Sequence, residues 1–130
     1  MTILVAYVPR PEGRAALDKG IEMAKRFNEN LLVINVSAGT TMVDEFVSPE
    51  DVKQMEMQFA ASGIQIEFKQ LNRGNSPIEE IETLVNSLKA SMLIIGLRKR
   101  SPVEKLFLGS VAQAILLSIP CPVLTVKALC

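Results

Sequence analysis

The chain contains 130 residues, of which 48% are hydrophobic and 22% are charged, and this composition suits one compact domain, residues 1–130, with an apolar core. Lys and Arg together number 14 and Asp and Glu also number 14, so the formal net charge is zero and no overall field directs the chain to nucleic acid or to an anionic membrane. Histidine is absent, which excludes Ser-His and Cys-His nucleophile pairs and imidazole-ligated metal sites.

Five apolar runs of strand length, rich in β-branched residues, recur along the chain. In order they are Ile3–Val8, Leu31–Val36, Ile64–Leu71, Met92–Ile95 and Pro122–Val126. The segments between them carry apolar residues at helical spacing. The sequence therefore predicts strands and helices in the order βαβαβαβαβ.

Ser-Pro pairs mark the starts of two helices, at Ser48-Pro49 and Ser76-Pro77, and of a short turn at Ser101-Pro102, where Gly109 follows soon after. In each, the serine can cap the first turn, the proline sits where its missing N–H costs nothing, and the acid that follows complements the positive end of the helix dipole. Gly63 is expected to end the second helix, because glycine readily adopts the left-handed conformation of a helix C-terminus.

The alternation of strands and helices predicts an α/β fold: a doubly wound five-stranded parallel sheet of order 3-2-1-4-5 with helices on both faces. The third run alternates Ile64, Ile66 and Phe68 with polar residues, as a strand at a sheet edge does. The fifth run is almost wholly apolar although it falls at the other edge, where a bare strand invites pairing. We therefore predict a homodimer formed through the C-terminal strand.

Two further features bear on location. Cys121 and Cys130 are separated by a predicted strand that holds them roughly 30 Å apart at about 3.3 Å per residue, beyond the reach of a disulfide. Reduced thiols are typical of the cytoplasm, which is the predicted location. The uncharged stretch Leu106–Val126 is long enough to cross a bilayer, but Pro120 and Pro122 favour a helix followed by a strand, so we expect no membrane association.

The segment that follows the fourth strand carries the candidate site. Gly96 is expected to end that strand and to leave its backbone open to a ligand, while Gly109 and Ser110 open the last helix, whose free N–H groups favour an anion. The basic run Arg98–Arg100 lies between them. Ligands of open α/β sheets bind where strand order reverses, here between the first and fourth strands. The simpler alternatives are a helix start that binds nothing and a solvated basic loop.

At this segment the sequence resembles the universal stress protein family, whose nucleotide-binding members carry Gly-x-x-Gly, nine residues, and then Gly-Ser or Gly-Thr. Gly96, Gly109 and Ser110 match that pattern. Lys99 replaces the second glycine, and Val8 stands where nucleotide binders usually have an aspartate. The resemblance covers essentially the whole chain, through Ile3-Leu4-Val5-Ala6, a helix start at Arg14-Ala15-Ala16-Leu17, Gly74 and Pro77, and the closing Pro120-Cys121-Pro122-Val123-Leu124.

The resemblance implies a site for an adenine nucleotide, ATP or AMP, with or without Mg²⁺. Main-chain atoms around Val8 and Pro9, together with Val36 at the end of the second strand, would contact the adenine end. Gly96 would lie near the ribose and the phosphates.

The phosphate end of the implied site comes from the loop and the last helix. Arg98 and Lys99 would neutralise phosphate charge. Gly109, Ser110 and Val111 would supply backbone N–H groups and a hydroxyl to the phosphate oxygens.

The resemblance also implies the function: a homodimeric stress-response regulator that acts by binding a nucleotide and a protein partner still to be identified. The alternative is a family member that has lost the nucleotide and works as a dimeric protein-interaction module. Slow ATP hydrolysis ranks third, because the chain has no histidine and has valine in place of aspartate at position 8, so no catalytic base is evident. We assign no catalytic residue. One tyrosine and no tryptophan argue against nucleic-acid binding, and Glu79, Glu80 and Glu82 are expected on a solvated helix face.

Overall fold

The structure is a computed structural model and describes residues 1–36, 47–71, 76–98 and 110–128. Strands and helices alternate along these ranges, as the sequence predicts. The elements are β1 (Thr2–Ala6), α1 (Pro11–Phe27), β2 (Asn30–Val36), α2 (Pro49–Ser62), β3 (Ile66–Leu71), α3 (Pro77–Leu88), β4 (Met92–Arg98), α4 (Ser110–Ser118) and β5 (Val123–Ala128).

The five strands form one sheet in the order β3-β2-β1-β4-β5, and every pairing is parallel. This confirms the predicted fold class and strand order. The central strands are apolar along both faces because helices cover both faces. In β1, for example, Ile3, Leu4 and Val5 are all fully buried although they alternate in direction.

Two hydrophobic clusters lie on the two faces of the sheet. The first joins Ile3 and Val5 to apolar residues of α1 and to Met55 of α2. The second joins Leu4 to apolar residues of α3 and α4, such as Ile81 and Ile115. A strand feeding a right-handed crossover sends the first two helices to one face and the last two to the other, so the sheet is covered by two helices on each side.

The predicted helix caps at the second and third helices are confirmed. The Ser48 hydroxyl accepts a hydrogen bond from the backbone N–H of Asp51 at 3.1 Å, and the Ser76 hydroxyl accepts one from Glu79 N–H at 3.4 Å. In both helices a proline occupies the first turn. The third predicted start, at Ser101, lies outside the described residues.

Three expectations about local structure are wrong. Helix α1 begins at Pro11 and not at Arg14, because proline with its fixed φ is well suited to the first turn. Strand β4 continues to Arg98, so Gly96 lies inside the strand and does not end it. Glu80 is only 4% exposed and does not lie on a solvated face, whereas Glu79 and Glu82 are exposed as expected.

Candidate functional site

A pocket of about 240 Å³ opens at the carboxyl ends of β1, β2 and β4. The order of the strands reverses between β1 and β4, so the pocket lies where an open α/β sheet offers a crevice to a ligand. Most of its lining is aliphatic, and it comes from all three strands and from α3 and α4. The aliphatic lining residues are Ala6, Val8, Ile34, Val36, Pro77, Ile81, Ile95, Leu97, Ala112 and Ile115.

Three of the predicted site residues, Val8, Val36 and Gly96, line this pocket together. Parallel pairing of β1 with β2 and of β1 with β4 brings the ends of these three strands to one edge. Pro9 follows Val8 directly but is not among the lining residues. An aliphatic crevice of this kind accepts a flat apolar group, with a few polar atoms to fix its orientation.

The predicted phosphate-binding residues lie at the margin of the described chain. Arg98 is the last residue of β4, and Ser110 and Val111 open α4. Lys99 and Gly109 lie outside the described residues. Helix α4 borders the pocket through Ala112 and Ile115, so its first turn stands beside the cavity.

Helix packing explains why residue 96 is glycine, and the sequence alone does not reveal this. A Cβ atom at this position would fall well inside van der Waals contact of the backbone carbonyl of Glu12. The first turn of α1 therefore packs directly on β4, and only glycine leaves room for it. The glycine is required by helix packing whether or not a ligand is bound.

Arg10 and Glu12 are the charged residues of the pocket lining within the described part of the chain. Arg10 Nε lies 2.9 Å from Glu12 Oε1, yet neither Nε nor the second carboxylate oxygen, Oε2, has a hydrogen-bond partner there, and both atoms are covered. The short distance therefore reflects an ion pair whose N–H is poorly aligned, because a hydrogen bond needs both distance and direction. The Glu12 residue is 8% exposed.

Sequence reasoning missed Glu12, because the first helix was expected to begin only at Arg14. The start at Pro11 places the carboxylate in the first turn of α1, where the helix dipole stabilises negative charge. The signal that could have located it is the Pro11-Glu12 pair itself, which has the proline and the acid of the other helix starts.

The strand ends beside the pocket are held by Asn35, which the sequence analysis also missed. Its side-chain Nδ2 donates to the backbone carbonyl of Tyr7 at 2.9 Å, and the N–H of Tyr7 donates to Ile34 O at 2.8 Å. Asn35 is 1% exposed, the most deeply buried polar residue of the described chain. The available signal was an amide inside the otherwise apolar run Leu31–Val36, because buried polar groups are kept where they form hydrogen bonds.

The side chain of Tyr7 lies in a second, smaller cavity of about 130 Å³, which is also lined by Arg14 and Asp51. Burial raises the pKa of the Tyr7 hydroxyl, and the negative charge of Asp51 adds to the rise, while Arg14 opposes it by its charge and by a hydrogen bond to the hydroxyl. Tyr7 is buried and joins the cluster on the α1 face of the sheet. We assign it a structural role.

The described residues contain neither a group of side chains suited to a metal ion nor a membrane-spanning helix. Within residues 1–36, 47–71, 76–98 and 110–128, no three Asp, Glu or Cys side chains form a group that could hold a metal ion. None of the helices in these ranges has the length and apolar character needed to cross a membrane.

Comparison with known proteins identifies the family. The model of the universal stress protein family matches residues 1–127. A universal stress protein of Mycolicibacterium smegmatis is 47% identical over 126 residues, which cover 96% of each chain. Among solved structures, a universal stress protein from Archaeoglobus fulgidus has a TM-score of 0.71 at 24% identity and covers 97% of both chains.

Two further solved neighbours are described with a nucleotide. One is the universal stress protein from Archaeoglobus fulgidus in complex with dAMP, with a TM-score of 0.65 at 19% identity, covering 97% of this chain and 96% of its own. The other is a universal stress protein family protein from Arabidopsis thaliana with AMP bound. It has a TM-score of 0.63 at 18% identity and covers 99% of this chain and 93% of its own. At these identities the likeness concerns the fold. The family match over residues 1–127 and the 47% identical relative together establish that this chain belongs to the universal stress protein family.

Proposed function

We propose that this protein is an adenine-nucleotide-binding stress-response regulator that acts by binding and not by catalysis. The observation that carries the proposal is the aliphatic pocket at the reversal of strand order, where Val8, Val36 and Gly96 meet. Solved family members are described with AMP and with dAMP, which supports an adenine nucleotide as the ligand.

In the proposed complex, the adenine base occupies the aliphatic part of the pocket, against Val36 and the main chain of Val8 and Pro9. Burial of a flat ring between aliphatic side chains removes apolar surface from water, which is the main favourable contribution of such a site. Gly96 lies beside the ribose and the phosphates.

The phosphates of ATP or AMP, with or without Mg²⁺, are then directed toward the first turn of α4. Arg98 and Lys99 neutralise their charge, and Gly109, Ser110 and Val111 offer backbone N–H groups and a hydroxyl. The N-terminus of a helix suits this purpose because its first N–H groups are unpaired and its dipole favours negative charge.

The proposed regulator works in the cytoplasm as a homodimer of one domain per chain, residues 1–130. We expect the protein to have two states, of which a protein partner recognises one. Nucleotide binding can change the population of that state only if the nucleotide binds the two states with different affinity. The pairing of two copies through β5 is supported by the position of that strand at the sheet edge.

A second candidate function is a dimeric interaction module that has lost the nucleotide. Three residues favour it: Val8 lacks the usual carboxylate, Lys99 replaces a loop glycine, and Glu12 places negative charge at the pocket. A carboxylate near the phosphates would weaken their binding by repulsion.

Isothermal titration with AMP, and with ATP in the presence and absence of Mg²⁺, distinguishes the two candidates. We expect saturable binding that Ala112→Phe abolishes, because Ala112 lines the pocket and an aromatic ring there would fill it. The matched control is Ala61→Phe at an exposed position of α2, which should bind as the unmodified protein does. Absence of heat and of any thermal shift at millimolar nucleotide would reject the nucleotide proposal and favour the interaction module.

A further inference from the structure

Glu12 is the one acidic residue of the pocket lining in the described part of the chain. One of its oxygens, Oε1, is held by the ion pair with Arg10 at 2.9 Å. The other, Oε2, is covered by protein atoms and has no hydrogen-bond partner there. A buried acceptor without a donor is unfavourable, and native structures keep few of them.

The contact between Arg10 and Glu12 is close but poorly aligned for a hydrogen bond. Arg10 Nε has no hydrogen bond of acceptable geometry in the described chain, although it is close to Oε1. The Arg10 side chain is 40% exposed, against 10% for that of Glu12, so part of Arg10 reaches solvent although its Nε is covered. A turn of the carboxylate toward the cavity would exchange the poorly aligned contact with Nε for a hydrogen bond from a ligand.

A ligand in this pocket can present either a hydrogen-bond donor or a hydrogen-bond acceptor to the Glu12 carboxylate. An ionised carboxylate only accepts hydrogen bonds, so it gains from a hydroxyl or amino group and is repelled by phosphate oxygens. Hydrogen bonds to charged groups are also the stronger ones. The chemistry of Glu12 thus selects a neutral hydrogen-bond donor on the part of the ligand that lies beside it.

We infer that Glu12 is a specificity-determining residue that recognises a hydrogen-bond donor on the nucleoside part of the ligand. The inference rests on the proposed function, since it assumes a nucleotide in this pocket. A nucleoside monophosphate offers two sources of such a donor: a ribose hydroxyl and the exocyclic amine of adenine. Both would turn the carboxylate from Arg10 toward the cavity.

The test compares four probes by isothermal titration: AMP, 2′-deoxy-AMP, 3′-deoxy-AMP and purine riboside 5′-monophosphate, which lacks only the exocyclic amine. We expect the unmodified protein to bind at least one analogue about 10-fold or more weakly than AMP, the size expected for a lost hydrogen bond to a charged group. The affected analogue identifies the source of the donor. In Glu12→Ala the same analogue and AMP should bind within about two-fold of each other, because no partner remains to discriminate them.

Glu50→Ala is the matched control, because Glu50 also lies in the first turn of a helix but is exposed and outside the pocket. It should keep the full discrimination. The probe series on the unmodified protein is a second measurement that does not depend on the folding of any variant. If all four probes bind it equally, or if Glu12→Ala retains the discrimination, the inference is wrong while nucleotide binding stands. If no probe binds, both the inference and the proposed function are wrong.

Discussion

At the scale of single residues, Gly96 shows how one close approach sets the identity of a residue. The first turn of α1 lies against β4 so closely that a Cβ at Gly96 would overlap the carbonyl of Glu12. Because the overlapping atoms belong to the backbone, the whole first turn of α1 would have to shift to remove the overlap. Overpacking of this kind costs about 1–3 kcal/mol.

We expect Gly96→Ala to lower the free energy of unfolding by that amount, measured by urea denaturation. The control is Gly63→Asn at the end of α2, where φ is +76° and no atom lies within 4 Å of the added Cβ. Asn tolerates the left-handed region, so this loss should be the smaller of the two. Equal losses at the two positions would contradict the packing argument.

A second prediction at the scale of single residues concerns Asn35. Its amide donates to the carbonyl of Tyr7 in the buried interior, and Asn35→Asp would replace that donor by a charged acceptor. An unsatisfied buried group costs about 1–3 kcal/mol and a charged one more, so we expect at least that loss of stability at neutral pH.

The loss at Asn35→Asp should depend on pH. Burial raises the pKa of a carboxyl, and the protonated form can donate its O–H to Tyr7 O. The folded variant therefore binds a proton more readily than the unfolded chain, so its stability falls as pH rises and recovers toward acid pH. Urea denaturation between about pH 4 and pH 8 measures this, with Asn30→Asp at the exposed start of β2 as a control that should change little. A deficit that is constant across this range would contradict the assignment.

At the scale of elements, serine caps set where α2 and α3 begin. Ser48 accepts from Asp51 N–H at 3.1 Å and Ser76 from Glu79 N–H at 3.4 Å. Replacement of such a cap by alanine costs about 1 kcal/mol. We expect Ser48→Ala and Ser76→Ala each to lower the free energy of unfolding by about this amount, with the larger effect at Ser48, whose hydrogen bond is shorter.

The control for the caps is Ser87→Ala, because Ser87 is exposed inside α3 and its hydroxyl donates to Leu84 O within the same helix. Alanine is the better helix former at an interior position, so stability there should be unchanged or slightly raised. Thermal unfolding of the three variants compares them directly. If Ser87→Ala is as harmful as the cap variants, the caps do not account for the effect.

At the scale of the whole molecule, the proposed dimer depends on the free edge of β5. The strand is half-buried over Val123–Val126, and Leu124 and Val126 pack against the core on the α1 face. Pairing with a second copy would satisfy the outer backbone groups, which a solitary apolar edge leaves open.

Thr125→Lys should weaken that association, because the two-fold axis would bring the new charges of both copies together at the paired edge. Thr83→Lys on the exposed face of α3 adds the same charge away from the edge and should remain dimeric. Sedimentation at micromolar concentration measures the oligomeric state of both variants. An unmodified protein that sediments as a monomer would reject pairing through β5.

The fold class and the strand order were predictable from the amino-acid sequence, and with them the edge of the sheet where the pocket lies. The fold class depends on the alternation of strands and helices, and alternation of apolar and polar residues in the run Ile64–Leu71 predicts an edge strand. The apolar fifth run resembles an interior strand, and its position at the other edge follows from the doubly wound order. The helix starts at Ser48 and Ser76 were also predictable, since caps and prolines act within one turn. The resemblance to the universal stress protein family implied Val8, Val36 and Gly96 as site residues, and in the structure these three residues line one pocket.

Contacts between residues far apart in the sequence are fixed by tertiary packing. The start of α1 at Pro11 brings Glu12 to the pocket and against Gly96, and Asn35 reaches the carbonyl of Tyr7 across two paired strands. No local pattern encodes these contacts, because they arise when helix and sheet surfaces approach to packing distance. The position of the pocket thus follows from the strand order, whereas the charged residues of its lining follow from how α1 packs on the sheet.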